Sequence, residues 1–109
     1  MSSSELRILY VTAPDLETAE RIGRVLVEER LAACVNVLPE MRSVFRWRGE
    51  IEVDDETVML VKTTAAAANR TRDRILALHP YETACVVDLG VSSEGSNPAF
   101  IEWAAGETS

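Results

Sequence analysis

His79 is the only histidine in the chain and stands in the run His79-Pro80-Tyr81-Glu82, between an alanine-rich helical stretch and a strand-like one. Imidazole changes charge near neutral pH and is the commonest metal ligand. A carboxylate, Glu82, follows three positions later, with the Tyr81 phenol between them. Two thiols, Cys34 and Cys85, lie in apolar runs elsewhere. His79, Glu82 and Cys34 or Cys85 therefore offer a mixed nitrogen, oxygen and sulfur set suited to copper or zinc. The same histidine also suits a helix end, where the macrodipole favours positive charge and a following proline marks the stop. The residues alone leave both roles open: Pro80 divides His79 from Glu82, and only the fold can bring a cysteine to them.

Lys62, at the end of an apolar run, and Arg46 or Arg48 can bind an anion or a carboxylate-bearing ligand. Solvated charge and an intersubunit ion pair are the alternatives for these three. The chain has no phosphate-binding glycine loop, paired-cysteine motif or nucleophile elbow. Cys34 with His79 lacks an identifiable third group, and Ala32-Ala33-Cys34-Val35 is not the electropositive setting of a reactive thiol. Proton transfer by His79, Tyr81 and Lys62 suggests no substrate, so no catalytic residue is assigned and a non-enzymatic protein is expected.

Positioning these groups falls to a small set of elements. Leu6 to Thr12 reads as a strand buried on both faces. Pro14 ends it, Asp15 is the N-cap of a first helix, and Ala19, Ile22, Leu26 and Val27 recur at helical spacing up to about Arg30. Gly23 in that helix marks a close approach to the sheet. Ala33 to Leu38 is a second strand, stopped or bent by Pro39. Val44 to Trp47 continues it into a hairpin turned at Arg48-Gly49-Glu50. The return arm runs from Ile51 through an acidic bend at Asp54-Asp55-Glu56 into Thr57 to Thr63. Thr64 opens a second helix that His79-Pro80 ends, Ala84 to Val91 is a further strand, and a Ser/Gly/Asn loop leads to a short helix over Pro98 to Ala105.

The order strand, helix, strand, strand, helix, strand is that of an α+β, ferredoxin-like split βαβ fold: an antiparallel sheet with two helices on one face, an extended hairpin and a short C-terminal helix. Phe45, Trp47, Ile51 and Val53 put large apolar groups near the hairpin tip. A symmetric oligomer with hairpins pairing across subunits would cover them, as would an arm folded back over its own core.

At 109 residues the chain is one domain, with an ordered core expected over about residues 5 to 105. Its 47% hydrophobic and 27% charged residues are ordinary for a folded soluble protein. Eleven lysines and arginines against eighteen aspartates and glutamates give a net charge of −7, which repels phosphate backbones and anionic lipid and mildly attracts cations. Nucleic-acid and membrane partners are therefore not expected. No apolar run is long enough to span a bilayer. Met1-Ser2-Ser3-Ser4-Glu5 lacks a secretory pattern and the two cysteines read as buried free thiols, so a cytoplasmic protein is expected.

Taken together, Val11-Thr12-Ala13-Pro14-Asp15, Leu31-Ala32-Ala33-Cys34-Val35-Asn36, Trp47-Arg48-Gly49-Glu50-Ile51, Val61-Lys62-Thr63 and His79-Pro80-Tyr81-Glu82 occur in the order and spacing of the CutA divalent-cation tolerance family. Gly95-Ser96-Asn97-Pro98 with Phe100 and Trp103 is similar to that family's closing segment, so nearly the whole chain is covered. The resemblance implies a homotrimer, similar in architecture to the PII signalling proteins, with a role in tolerance to copper and other divalent cations. It implies an intersubunit cleft gathering Cys34, Asn36, Trp47, Lys62, His79, Tyr81 and Glu82, where copper, another divalent cation or a small effector binds. No cofactor is required. A PII-like signalling or scaffold trimer, acting on metals indirectly through a partner protein, is the alternative. In members with assigned copper ligands a cysteine precedes Thr-Ala-Pro and a doubled histidine precedes Pro-Tyr. Here Val11 and Leu78 hold those places, and Ala84-Cys85 replaces the Pro-Glu that commonly follows, so any copper site in this chain is built differently.

Overall fold

The structure, a computed structural model, describes residues 5 to 109. The reading of the first residues as free of a secretory pattern falls, Glu5 apart, outside the described residues. The elements in chain order are β1 (Leu6–Ala13), α1 (Leu16–Glu28), β2 (Cys34–Trp47), β3 (Glu50–Thr64), α2 (Ala68–Leu78), β4 (Val86–Asp88) and α3 (Pro98–Glu107). The strands form one antiparallel sheet in the order β2-β3-β1-β4. This is the expected split βαβ arrangement.

Strand periodicity of two decides what each face carries. Leu9, Val11 and Ala13 of β1 and Met59 and Val61 of β3 point to one face, where they bury against Ala19, Ile22 and Leu26 of α1 and Ile75 of α2. The N-terminus of α1 is set by Asp15, whose carboxylate accepts the Thr18 amide at 2.8 Å and is held below its usual range by that bond. Gly23 is the expected point of close approach: a Cβ there would meet Val35 Cγ1 of β2 at 3.2 Å. Among the described residues the opposite face carries no helix over most of its length. Only α3 reaches one end of it, through Leu6, Ala33, Ala104 and Phe100, with Asn97 accepting the Ala99 amide at 3.0 Å as its cap.

Several boundaries differ from those read in the sequence. Pro39 neither stops nor ends β2: the strand runs through it to Trp47, with a β-bulge between Leu38 and Met41 where Glu40 takes a left-handed φ of 67°. The acidic stretch Asp54-Asp55-Glu56 is no bend, because it pairs with Ser43, Arg42 and Met41 inside a continuous β3. Thr64 ends β3 instead of opening α2, and its hydroxyl takes the Ala67 amide at 3.3 Å. The strand expected over Ala84 to Val91 is reduced to Val86–Asp88, since pairing with β1 covers only Leu9, Tyr10 and Val11. At the hairpin tip Arg48 and Gly49 both have positive φ, 51° and 84°, the signature of a type I′ turn.

The hairpin stands clear of the helices, and the chain measures 44 Å by 27 Å by 22 Å. Val44 is 70% exposed and Ile51 67%, so the arm is not folded back over its own core. No helix among the described residues is long and apolar enough to cross a membrane.

Candidate functional site

The bulge in β2 determines the site. One extra residue between Leu38 and Met41 reverses the parity of the strand, so Met41, Ser43, Phe45 and Trp47 come to lie on the open face beside Glu56, Asp54, Glu52 and Glu50. Tyr10 and Thr12 of β1 share this face, and the loop Tyr81-Glu82-Thr83 closes over it from the end of α2. Together they wall a concavity of about 790 Å³ that Cys85 also lines.

His79 holds that loop in place. It is buried at the end of α2, where its backbone amide caps Ile75. Its ring is used on both sides. Nδ1 accepts the Tyr81 amide at 3.1 Å, so the neutral ring carries its proton on Nε2, which donates to the Thr12 carbonyl at 2.8 Å. The His79 and Tyr81 rings lie 4.9 Å apart. A metal at either nitrogen would have to displace one of these bonds. Tyr81 in turn donates its hydroxyl to Glu56 at 3.4 Å, and Ser43 donates to the same carboxylate at 2.6 Å. Burial, then the negative charge of Glu56, pushes the Tyr81 phenol above its ordinary value. Tyr10 donates to the Met41 sulfur at 3.6 Å on the floor of the same concavity.

The seven residues expected to share one cleft fall into two groups. Trp47, Tyr81 and Glu82 line the concavity, with His79 behind the loop. Cys34, Asn36 and Lys62 lie on the same sheet face but at the end near α3. There Cys34 pairs across the ladder with Lys62, Lys62 Nζ sits 5.3 Å over the Phe100 ring, and Cys34 Sγ reaches Asn36 Oδ1 only at 4.0 Å. Val58, opposite Thr12, is four residues from Lys62, about 13 Å of strand. Within one chain Cys34 therefore does not meet His79 and Glu82, and among the described residues no three His, Cys, Asp or Glu side chains gather as a metal set. Sequence reasoning missed Tyr10, Ser43, Met41 and Glu56 as site residues. The only signal that could have found them is Pro39-Glu40, a poor fit to an uninterrupted strand and a candidate bulge.

The model of the CutA1 divalent ion tolerance protein family matches residues 7 to 107. This chain belongs to the CutA1 family. A CutA divalent-cation tolerance protein from Thermus thermophilus is 44% identical over 96 residues, 88% of this chain and 91% of that one. Mouse CutA is 40% identical over 94 residues, and there the match spans 52% of the relative's length. Among solved structures, CutA from Xylella fastidiosa superposes with a TM-score of 0.92 at 41% identity, covering 96% of this chain and 99% of that one. The Nostoc protein described as PII-like CutA gives 0.89 at 36% identity, with 94% and 97% covered. A CutA from Archaeoglobus fulgidus, described as periplasmic, gives 0.86 at 39% identity, with 94% and 97% covered. The PII-like sheet with its long hairpin is thus the CutA1 architecture.

Proposed function

We propose that the chain acts as a homotrimer in the response to divalent cations, without turnover, and that copper, another divalent cation or a small effector is taken up in the cleft between subunits. One observation supports this most: the hairpin exposes Val44, Trp47, Ile51 and Val53 on an arm with nothing among the described residues to cover it. A second copy is the natural cover for such an arm. Cys34 and Glu82, far apart within one chain, would then supply donors from different subunits. His79 orders the loop bearing Glu82, and Asn36, Trp47, Lys62 and Tyr81 line the cleft. Sedimentation equilibrium should return about three times the 12.0 kDa chain mass. Copper and zinc titrations should show at least tenfold weaker binding in a Cys34→Ala, Glu82→Gln variant than in the native trimer. Equal affinity in the two rejects the donor assignment.

A second reading is favoured by the lack of any three-donor group among the described residues. In it the trimer is a PII-like scaffold for a partner protein, and metal tolerance is indirect. Capture of one defined protein, independent of added metal, supports that reading over the first. The free thiols Cys34 and Cys85 favour a cytoplasmic location. Cell fractionation decides between this and the periplasm given for the Archaeoglobus relative.

A further inference from the structure

The two faces of the hairpin are chemically opposite. On the open face Ser43, Phe45 and Trp47 lie beside Asp54, Glu52 and Glu50, while the other face carries Arg42, Val44 and Arg46 opposite Asp55, Val53 and Ile51. The open-face concavity is lined by four carboxylates, those of Glu52, Asp54, Glu56 and Glu82, and by four aromatic rings, with no lysine or arginine among its lining residues. Carboxylates set against aromatic faces are the surroundings a guanidinium seeks, through paired hydrogen bonds and stacking. The wall already shows this preference: the chain's own Arg48 lies 5.4 Å from the Trp47 ring centre. Among the described residues Glu52, Asp54 and Glu82 have no ion pair.

On the opposite face Arg42 is held by Asp55 at 2.8 Å, but among the described residues Arg46 has no ion pair and its side chain makes one hydrogen bond, to the Gly49 carbonyl at 3.5 Å. Its neighbours Val44 and Ile51 are among the most exposed apolar groups of the chain. Arg46 cannot reach its own concavity, because the sheet lies between them. We infer that Arg46 of one subunit enters the acidic, aromatic concavity of the next, seated between Glu52 and Asp54 and flanked by Val44 and Ile51 packing on the rim. The site is then incomplete in a single chain. This rests on the trimer reading and adds its geometry. Joining unlike faces is head-to-tail, the kind of contact from which a three-membered ring is built, whereas joining like faces would set one carboxylate row against another.

The test is subunit exchange between differently labelled assemblies, followed by native mass spectrometry, with circular dichroism confirming that each variant is folded. Arg46→Glu should speed exchange at least 100-fold, and Glu52→Lys with Asp54→Lys should do the same. The variant combining all three substitutions restores opposite charges with the signs reversed and should return exchange to within tenfold of the native rate. Unchanged exchange in Arg46→Glu overturns the inference while leaving the trimer standing. So does a failure of the combined variant to recover when it is folded. Saturable binding of agmatine to the native assembly with no effect of Arg46→Glu gives the concavity to a small organic cation and overturns it equally. A native chain that sediments as a monomer rejects the trimer reading and this inference with it.

Discussion

The Nε2 atom of His79 lies 2.8 Å from the carbonyl oxygen of Thr12, tying the end of α2 to the central strand β1. With Nδ1 accepting the Tyr81 amide, the ring is a two-sided clamp on the loop that carries Tyr81 and Glu82. Replacing it by alanine leaves a buried carbonyl and an amide unpaired around a small void. His79→Ala should therefore cost about 2 to 4 kcal/mol. His79→Asn, which can still accept the Tyr81 amide as an Asx-turn does, should cost less. Denaturant midpoints at one fixed chain concentration measure both, since association contributes to apparent stability. A loss below about 0.5 kcal/mol in the alanine variant would remove the clamp from the account.

The layout of sheet and helices was legible because it follows from local rules. Periodicity of two in β1 and the far half of β3, the Asp15 cap, and the spacing of Ala19, Ile22 and Leu26 each specify an element without help from the rest of the chain. The hairpin was legible only in outline. Pro39 and the acidic run Asp54 to Glu56 look like interruptions when propensity is read locally, yet long cross-strand pairing overrides both. The site depends on what that misses: the extra residue at Glu40 decides which side chains of β2 face the carboxylates of β3. Cys34 and His79 were grouped because both can bind metal. Separation along the sheet, invisible in residue type, keeps them apart.

Leu31 presents its carbonyl to two buried hydroxyls, Thr63 Oγ1 at 2.6 Å and Thr71 Oγ1 at 2.9 Å. The two hydroxyls are also 3.4 Å from each other. Either one can serve the carbonyl alone, so Thr63→Val and Thr71→Val should each cost about 1 kcal/mol. Removing both leaves Leu31 without a donor, and the double variant should cost about 1 kcal/mol more than the sum of the two. A double-mutant cycle by urea denaturation reads the excess directly. Simple additivity would mean that the two hydroxyls act separately.

Two carboxylates make folding sensitive to acid. Asp15 is held below its ordinary value by the Thr18 amide, and Glu29 by the paired hydrogen bonds of Arg74 at 2.9 and 2.8 Å. A carboxyl with a lower pKa when folded binds fewer protons than in the unfolded chain, so its contribution is present above the ordinary carboxylate range and lost as pH falls through the folded value. Stability should decline below about pH 4.5. Asp15→Asn and Glu29→Gln should each flatten that decline while leaving its position near neutral pH lower than the native protein's. Urea midpoints collected from pH 6 to about pH 2.5 test the slope, and an unaltered slope in both variants places the acid sensitivity elsewhere.

At the other end of the scale, Tyr81 ionises late because burial and then Glu56 disfavour phenolate. The folded state holds this proton more tightly than the unfolded chain does. The stability it supports is therefore complete below the ordinary phenol value and is lost as pH rises through the higher folded one. Absorbance titration of phenolate should show a late-ionising component, and Tyr81→Phe should remove it. Glu56→Gln removes the charge but keeps an acceptor for the hydroxyl, so the late step should move toward lower pH without reaching the ordinary value, burial being the larger cause. If Glu56→Gln instead leaves the step where it was, the contact of Tyr81 with the carboxylate does not set the chemistry of the concavity.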